Sequence, residues 1–369
     1  MTTSPTVKIT AIINRDALGK VGQALKDAGV SDIYVAVGRA PTLEEGGLLN
    51  VFRSRMQLSS RPVEVVNCFV REDQEPGVLK LIADAAQLTI PGMGSVYSED
   101  VNLVGAHPLY RRDDLRLPDA AQLRLSTELL GVYCVVQRGE GDTIARSILE
   151  NGAATPVITY GRGVGIRDKL GLLRITIPPE KEVINLVATP WNAAELLEEM
   201  IERGQLDRPG RGFINTYPVR CGLVDTKTMS GSATGAASVD QMISAIDQLT
   251  GNLDWRRTEF QGGQTRHFFS GMGLNILCDH GTGTGLVRAA MEAGCGGATI
   301  ETFALHGRTR PQKDDLSRAR EFCKMMVPAD QLDAIIAVLE KSGAYEDQAK
   351  GVLFNTEVPR AFTYIARGA

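Results

Sequence analysis

Apolar residues along the chain alternate between two spacings. Short runs with the look of strands, Val7–Ile13, Val132–Val136 and Leu274–Cys278, are each followed by a stretch with helical period. The first helical stretch runs from Leu18 to Gly29 with Val21, Leu25 and Ala28 on one face. The second runs from Thr143 to Gly152 with Ile144, Ile148 and Leu149, and the third from Leu286 to Gly294 with Val287, Ala290 and Met291. Each stops at a glycine, the residue that enters the left-handed region without a Cβ penalty. A β-like run then leads to a Gly-Arg pair at Gly38-Arg39, Gly161-Arg162 and Gly307-Arg308. A polar segment of variable length follows, then a third strand at Val63–Val70, Val183–Ala188 and Phe322–Val327. A second helix spans about Glu75–Ala86, Ala193–Arg203 and Ala329–Ser342, with Leu79 and Ile82, Leu196 and Leu197, or Ile335 and Leu339 pointing inward. A glycine-bearing turn introduces a fourth strand at Ser95–Val101, Phe213–Val219 and Gly351–Val358.

The order β-α-β-β-α-β, met three times, is the split βαβ or ferredoxin-like motif, an α+β fold in which one antiparallel sheet carries two helices on one face. It predicts domains over 1–109, 129–226 and 268–369, joined by linkers over 110–128 and 227–267. The first linker is charged. The second opens on the small-residue run Met229–Ala237 and continues into a helix capped by Ser238, with Met242, Ile246 and Leu249 as its apolar stripe. The bare face of each sheet needs a cover, and three copies in one chain can supply it to one another as an intrachain pseudo-trimer, which predicts a functional monomer.

Composition narrows the function. The chain has 369 residues, 43% hydrophobic and 23% charged, and 40 Lys+Arg against 44 Asp+Glu leave a formal net charge of -4, with no global attraction for a nucleic acid or an anionic membrane. No apolar run reaches bilayer-spanning length and the N-terminus has no signal-peptide pattern, so the expectation is a cytoplasmic protein without membrane insertion. The six cysteines form no CxxC pair, and the four histidines (His107, His267, His280 and His306) form no helical ligand pair, so no metal site is expected. His280-Gly-Thr-Gly-Thr-Gly285 satisfies neither a dinucleotide nor a P-loop pattern and reads as a strand-to-helix turn. No carboxylate is paired with a nucleophile or base at a meaningful spacing, so no catalytic residue and no enzyme activity are expected.

The second repeat carries Gly161-Arg-Gly-Val-Gly165, Leu170-Gly-Leu-Leu-Arg-Ile-Thr-Ile177, Glu182-Val-Ile-Asn-Leu-Val-Ala188 and Leu206-Asp-Arg-Pro-Gly-Arg-Gly212 running on to Arg220. In motif and order this resembles the PII nitrogen regulatory proteins and their PII-like relatives. The first repeat resembles the family in Val7–Ile13 and in the turn Ala86-Gln-Leu-Thr-Ile-Pro-Gly-Met-Gly94. The third is more divergent, with Gly343–Gly351 at that turn.

The resemblance implies a mobile T-loop after the second strand, whose base combines with the glycine-bearing B-loop and a neighbour's C-terminal segment to hold an adenine nucleotide. Glycines let backbone N–H groups approach phosphate oxygens, and arginines make forked contacts to them. By position, the implied ligand residues are Gly161, Arg162, Gly163, Arg208, Gly210, Arg211, Gly212 and Arg220 in the second repeat. They are Gly38, Arg39, Gly92 and Gly94 in the first, and Arg308, Lys350, Gly351 and Arg360 in the third. ATP, ADP or a related adenine nucleotide is the implied effector, no catalytic cofactor is implied, and a regulated target protein is the implied partner. The segments 40–62, 163–180 and 308–317 contain no tyrosine, so control by uridylylation is not expected. Asn102 stands where the second repeat has Arg220, and the three clefts are expected to be unequal. The alternatives are an enzyme or a metal-binding module using an inter-domain cleft of the same fold.

Overall fold

Strand and helix periods resolve into the elements they predict. The protein is seen in a computed structural model that describes residues 5–44, 56–110, 114–120, 123–152, 154–165, 180–225, 229–230, 266–306 and 318–364. The first unit comprises β1 (Thr6–Asn14), α1 (Leu18–Asp27), β2 (Ile33–Glu44), β3 (Gln57–Arg71), α2 (Glu75–Ala86) and β4 (Gly94–Ala106). The second comprises β5 (Leu129–Gln137), α3 (Gly141–Glu150), β6 (Val157–Gly165), β7 (Glu180–Ala188), α4 (Pro190–Gly204) and β8 (Gly212–Val219), followed by the short β9 (Cys221–Leu223) and β10 (Met229–Ser230). The third comprises β11 (Phe269–Asp279), α5 (Gly283–Glu292), β12 (Gly297–His306), β13 (Ala319–Val327), α6 (Leu332–Lys341) and β14 (Val352–Thr363). The Ser238–Leu249 helix expected in the second linker lies outside the described residues.

Each unit is an antiparallel sheet ordered second, third, first, fourth strand: β2-β3-β1-β4, β6-β7-β5-β8 and β12-β13-β11-β14. The first helix of every unit ends as its sequence requires, with Gly29, Gly152 and Gly294 at φ of +98°, +66° and +110°. The apolar helix stripes pack on one sheet face. Val21, Leu25, Leu79 and Ile82 join Ile9 and Val66 in the first unit, Ile144, Ile148, Leu196 and Leu197 join Cys134 and Ile184 in the second, and Val287, Ile335 and Leu339 join Ile276 and Cys323 in the third. Fully burying a side chain of this size contributes about 1.5–3 kcal/mol. The first linker also belongs to this layer: Leu115 and Leu117 pack against the first unit's helices, and the Arg116 N–H donates to the Ala28 carbonyl at 2.9 Å.

The opposite faces turn toward each other, because the sheets join at both edges. Strands β2, β6 and β12 pair with one another at one end. At the other, β4 pairs with β9 of the second unit, β8 with β14 of the third, and β14 with β4 of the first, a cyclic exchange. Inner side chains thus become core. Ile12, Tyr97, Val157 and Val187 form one cluster, while Tyr34, Phe303, Phe322 and Phe354 form another.

Strand register corrects one equivalence. Gly38 lies opposite Val63 and Gly161 opposite Lys181, and the matching position in the third unit, opposite Arg320, is Phe303. The third unit therefore has Phe303-Ala304 where the others have Gly-Arg, and Gly307-Arg308 lies four positions further along, outside the described residues. Arg308 consequently does not correspond to Arg39 and Arg162.

Candidate ligand clefts between the repeats

One acidic position recurs in register on the third strand of each unit: Glu64, Glu182 and Glu321, opposite Val37, Tyr160 and Thr302. Glu182 reaches the strand-to-helix turn of its own unit, where its Oε2 accepts the N–H groups of Gly139 at 3.0 Å and Gly141 at 2.8 Å. Glu321 likewise accepts the Gly283 N–H at 2.8 Å. These carboxylates satisfy donors that a helix start leaves unpaired. Their other oxygens face the preceding unit. Arg39 donates to Glu182 at 3.0 Å, to Tyr160 Oη at 3.1 Å and to Asp142; Arg162 donates to Thr284 at 2.9 Å and lies 3.5 Å from Glu321. The two Gly-Arg arginines thus fasten one unit to the next. Where the third unit meets the first, Ala304 occupies the arginine position and Glu64 pairs with Arg15 of its own unit at 2.9 Å.

Each glycine turn before a fourth strand faces the tail of another unit, and the three junctions differ. In the first cleft, Gly92 and Gly94 meet the tail after β8. There Asp225 accepts the Gly92 N–H at 2.9 Å, and Arg220 is bound to Asp100 at 2.6 Å, Glu72 at 2.8 Å and Glu75 at 3.3 Å. In the third cleft, Lys350 and Gly351 meet the tail of the first unit. Fully buried Arg320 donates to the Lys350 carbonyl at 2.7 Å and also bonds Asp279 and Tyr110 Oη, while the His107 N–H donates to the Gly351 carbonyl at 2.9 Å. In both clefts the glycine turn is bonded to groups of the chain itself.

The second cleft is different. Gly163, Lys181, Gly210, Arg211 and Gly212 line a cavity of about 600 Å³ together with Gly297, Thr363 and Tyr364 of the third unit. Lys181 Nζ donates to Gln137 Oε1 at 2.8 Å, and the Gln137 amide donates to the Gly210 carbonyl at 2.8 Å. Gly163 makes room for this lysine: a Cβ there would lie 2.8 Å from Lys181 Cε. Arg211 leans on Glu140. The cavity runs inward to a buried polar lumen, where Lys324 Nζ sits 2.9 Å from Glu301 and 4.2 Å from the Tyr133 ring centroid. Burial lowers the Lys324 pKa and the Glu301 charge opposes that shift.

A search with protein-family models finds no match, and neither does a search of curated proteins. Among solved structures, GlnK of B. subtilis is 13% identical and covers 27% of this chain and 89% of its own at a TM-score of 0.24. The B. subtilis GlnK–ATP complex is 13% identical, covering 28% and 89%, at 0.23. Aspartate kinase from Synechocystis is 8% identical, covering 92% of this chain and 55% of its own, at 0.19.

The cleft gathers only part of what the sequence nominated. Gly163, Gly210, Arg211 and Gly212 share the cavity, whereas Arg208 stands outside the lining and bonds Gln205 at 3.1 Å. Gly161 packs between strands, where a Cβ would meet the Ile300 carbonyl at 3.2 Å, and Gly38 does the same against the Ile158 carbonyl at 3.2 Å. Arg360 lies 4.4 Å from the Phe268 ring centroid. Lys181, Gln137 and Tyr364 were not foreseen. The signal for Lys181 is the register: it occupies the position of Arg320 in the third unit, where another cation bonds the glycine turn. Among the described residues no three His, Cys, Asp or Glu side chains are grouped to hold a metal, and no helix is long and apolar enough to cross a membrane.

Proposed function

We propose that the chain is a PII-like regulatory protein that binds one small phosphate-bearing anion, an adenine nucleotide, in the second cleft. It signals to a target protein through the segment joining β6 to β7. The reading rests on one observation: Lys181 and Arg211 converge with the glycines 163, 210 and 212 on a single cavity, while the other two glycine turns are filled from within. Lys181 and Arg211 supply cationic donors and the glycine turn supplies unobstructed backbone, the requirements of a phosphate group. In this reading the protein is a cytoplasmic monomer without catalytic activity, and the nucleotide acts by its unequal affinity for two states of the protein.

Calorimetric titration with ATP, ADP, AMP and cyclic AMP tests it. One of these nucleotides is expected to bind at one site per chain, and Lys181→Ala and Arg211→Ala are each expected to weaken binding about tenfold or more, the loss of a charge-assisted contact. No heat with any of the four, or variants that bind as the parent does, sinks the proposal.

A further inference from the structure

The inner end of the cavity belongs to no single cleft. Its wall is drawn from all three units: Lys8, Asn67 and Glu99 of the first line it together with Tyr133 of the second and Glu301 and Lys324 of the third. Strand register gathers these groups around one lumen, because Thr10 opposite Asn67, Tyr133 opposite Asn185 and Asn275 opposite Lys324 are the same pair of positions in the three sheets. Four charges face this space and they cancel: Lys8 is paired with Glu99, and Lys324 with Glu301 at 2.9 Å. The two ammonium groups flank one ring, 5.8 Å and 5.0 Å from the Phe322 centroid. The pairs are not equally satisfied. Glu301 also accepts from Thr159 at 2.8 Å and Tyr133 at 3.4 Å, whereas Glu99 has no donor besides Lys8 among the described residues, so one of its oxygens is bare. Asn67 accepts from Thr10 at 3.0 Å through Oδ1, and its amide N–H groups have no acceptor among the described residues. Both residues are only 6% exposed. A buried acceptor and a buried donor left open toward a cavity carry a desolvation cost that a ligand relieves by meeting both.

We propose that this lumen is a binding site for a small zwitterion, an α-amino acid with an uncharged side chain, whose ammonium group meets Glu99 and whose carboxylate meets Asn67 and Lys8. The charge balance selects this class. A ligand of net charge would bring an uncompensated charge into a buried space whose own charges sum to zero, where desolvation is costly. A neutral polyol keeps the sum at zero but offers Glu99 and Lys8 no charge-assisted contact. A zwitterion keeps the sum at zero and brings one group of each sign to the two open positions. Entry is through the mouth of the second cleft, since Gly163, Arg211 and Tyr364 line the same cavity. The contacts in the lumen use none of the residues assigned to the nucleotide phosphate, so the inference stands apart from that reading.

The test is calorimetric titration of the full chain with each uncharged amino acid in turn. No nucleotide is present, so the result is read whatever becomes of the second cleft. At least one amino acid is expected to bind at one site per chain. Its N-acetyl and carboxamide derivatives, each lacking one of the two charges, and glutamate and lysine, each carrying one charge more, are expected to bind about tenfold or more weaker. Asn67→Leu, which cannot donate, is expected to weaken binding by a similar factor. Glu99→Gln gives the lumen a net positive charge and is expected to turn its preference toward glutamate. Absence of heat with every uncharged amino acid, the result for a lumen that holds water alone, overturns the proposal. Binding that is indifferent to the loss of either ligand charge, or that Asn67→Leu leaves unchanged, overturns it as well. If Asn67→Leu does not fold, the ligand is expected to shift the Asn67 side-chain amide resonances of the parent, and resonances that stay in place then sink the proposal.

Discussion

At the scale of single residues, the turn before each fourth strand is limited by backbone approach more than by side-chain chemistry. A Cβ built on Gly94, Gly212 or Gly351 would lie 2.0 Å from the Ile12 carbonyl oxygen, 2.1 Å from that of Val135 or 2.2 Å from that of Ala344. No side-chain rotation relieves such a contact, so strand and turn would have to separate. Gly212→Ala is expected to cost about 2–3 kcal/mol, in the range of overpacking. Gly165→Ala, with open space around the added methyl, is expected to stay within about 0.5 kcal/mol of the parent. Urea midpoints at equal slope measure both, and an equal loss in the two variants would show that strand propensity, not the close approach, sets the cost. The third unit keeps this glycine while departing from the rest of the motif. The conserved requirement of the turn is therefore geometric, and the ligand-facing positions around it are free to become Asp225, Arg320 or an open cavity.

At the scale of elements, the junction of β12 with β2 lacks the arginine that ties the other two, and it holds His306 opposite Ile33 instead. Burial, with Lys26 adding to it, holds the His306 pKa below 6.5 against the pull of Glu64. The unfolded chain therefore binds more protons just below pH 6.5. This group's stabilisation is present above that pH and is lost as the pH falls toward the folded value. His306→Asn is expected to lose less stability than the parent between pH 7.5 and pH 5.5. Urea midpoints that fall equally in both proteins would remove His306 from the acid response. The contrast also shows what could be read from sequence. Strand and helix order was legible because Val21, Leu25, Ile144, Ile148 and their counterparts repeat at fixed local spacings. The recurrent glutamates and Lys181 were not, because their meaning comes from register across the sheet, where Glu182 serves Gly139 and Gly141 from a distant strand. The Gly-Arg pairs were seen, yet nothing local distinguishes an arginine aimed at phosphate from one aimed at a neighbouring carboxylate.

For the whole molecule, the decisive question is whether three similar units fold as one. Their inner faces share more than apolar contact. Glu301 of the third unit is paired with Lys324 on the neighbouring strand at 2.9 Å, and it also accepts from Thr159 of the second unit at 2.8 Å and Tyr133 at 3.4 Å. Lys8 and Glu99 of the first unit form a second pair facing the same lumen. Removing one partner of a buried pair leaves the other charge uncompensated, so Lys324→Met is expected to cost about 3–5 kcal/mol. Replacing Glu301 by Gln at the same time removes the stranded charge while retaining an acceptor for Thr159, and is expected to restore most of the loss. The two substitutions should couple by about 2 kcal/mol or more in a double-mutant cycle. How the loss appears tests the architecture as well. Because Glu301 is shared between units and the sheets are joined at both edges, Lys324→Met is expected, in a Trp255→Phe background that leaves Trp191 as the single tryptophan, to shift a single unfolding transition seen equally by Trp191 fluorescence, which reports the second unit, and by far-ultraviolet circular dichroism, which reports all three. If the fluorescence transition stays at its parental midpoint while part of the dichroism change moves to lower denaturant, the units unfold separately, and the shared lumen is a contact between independent domains rather than a common core.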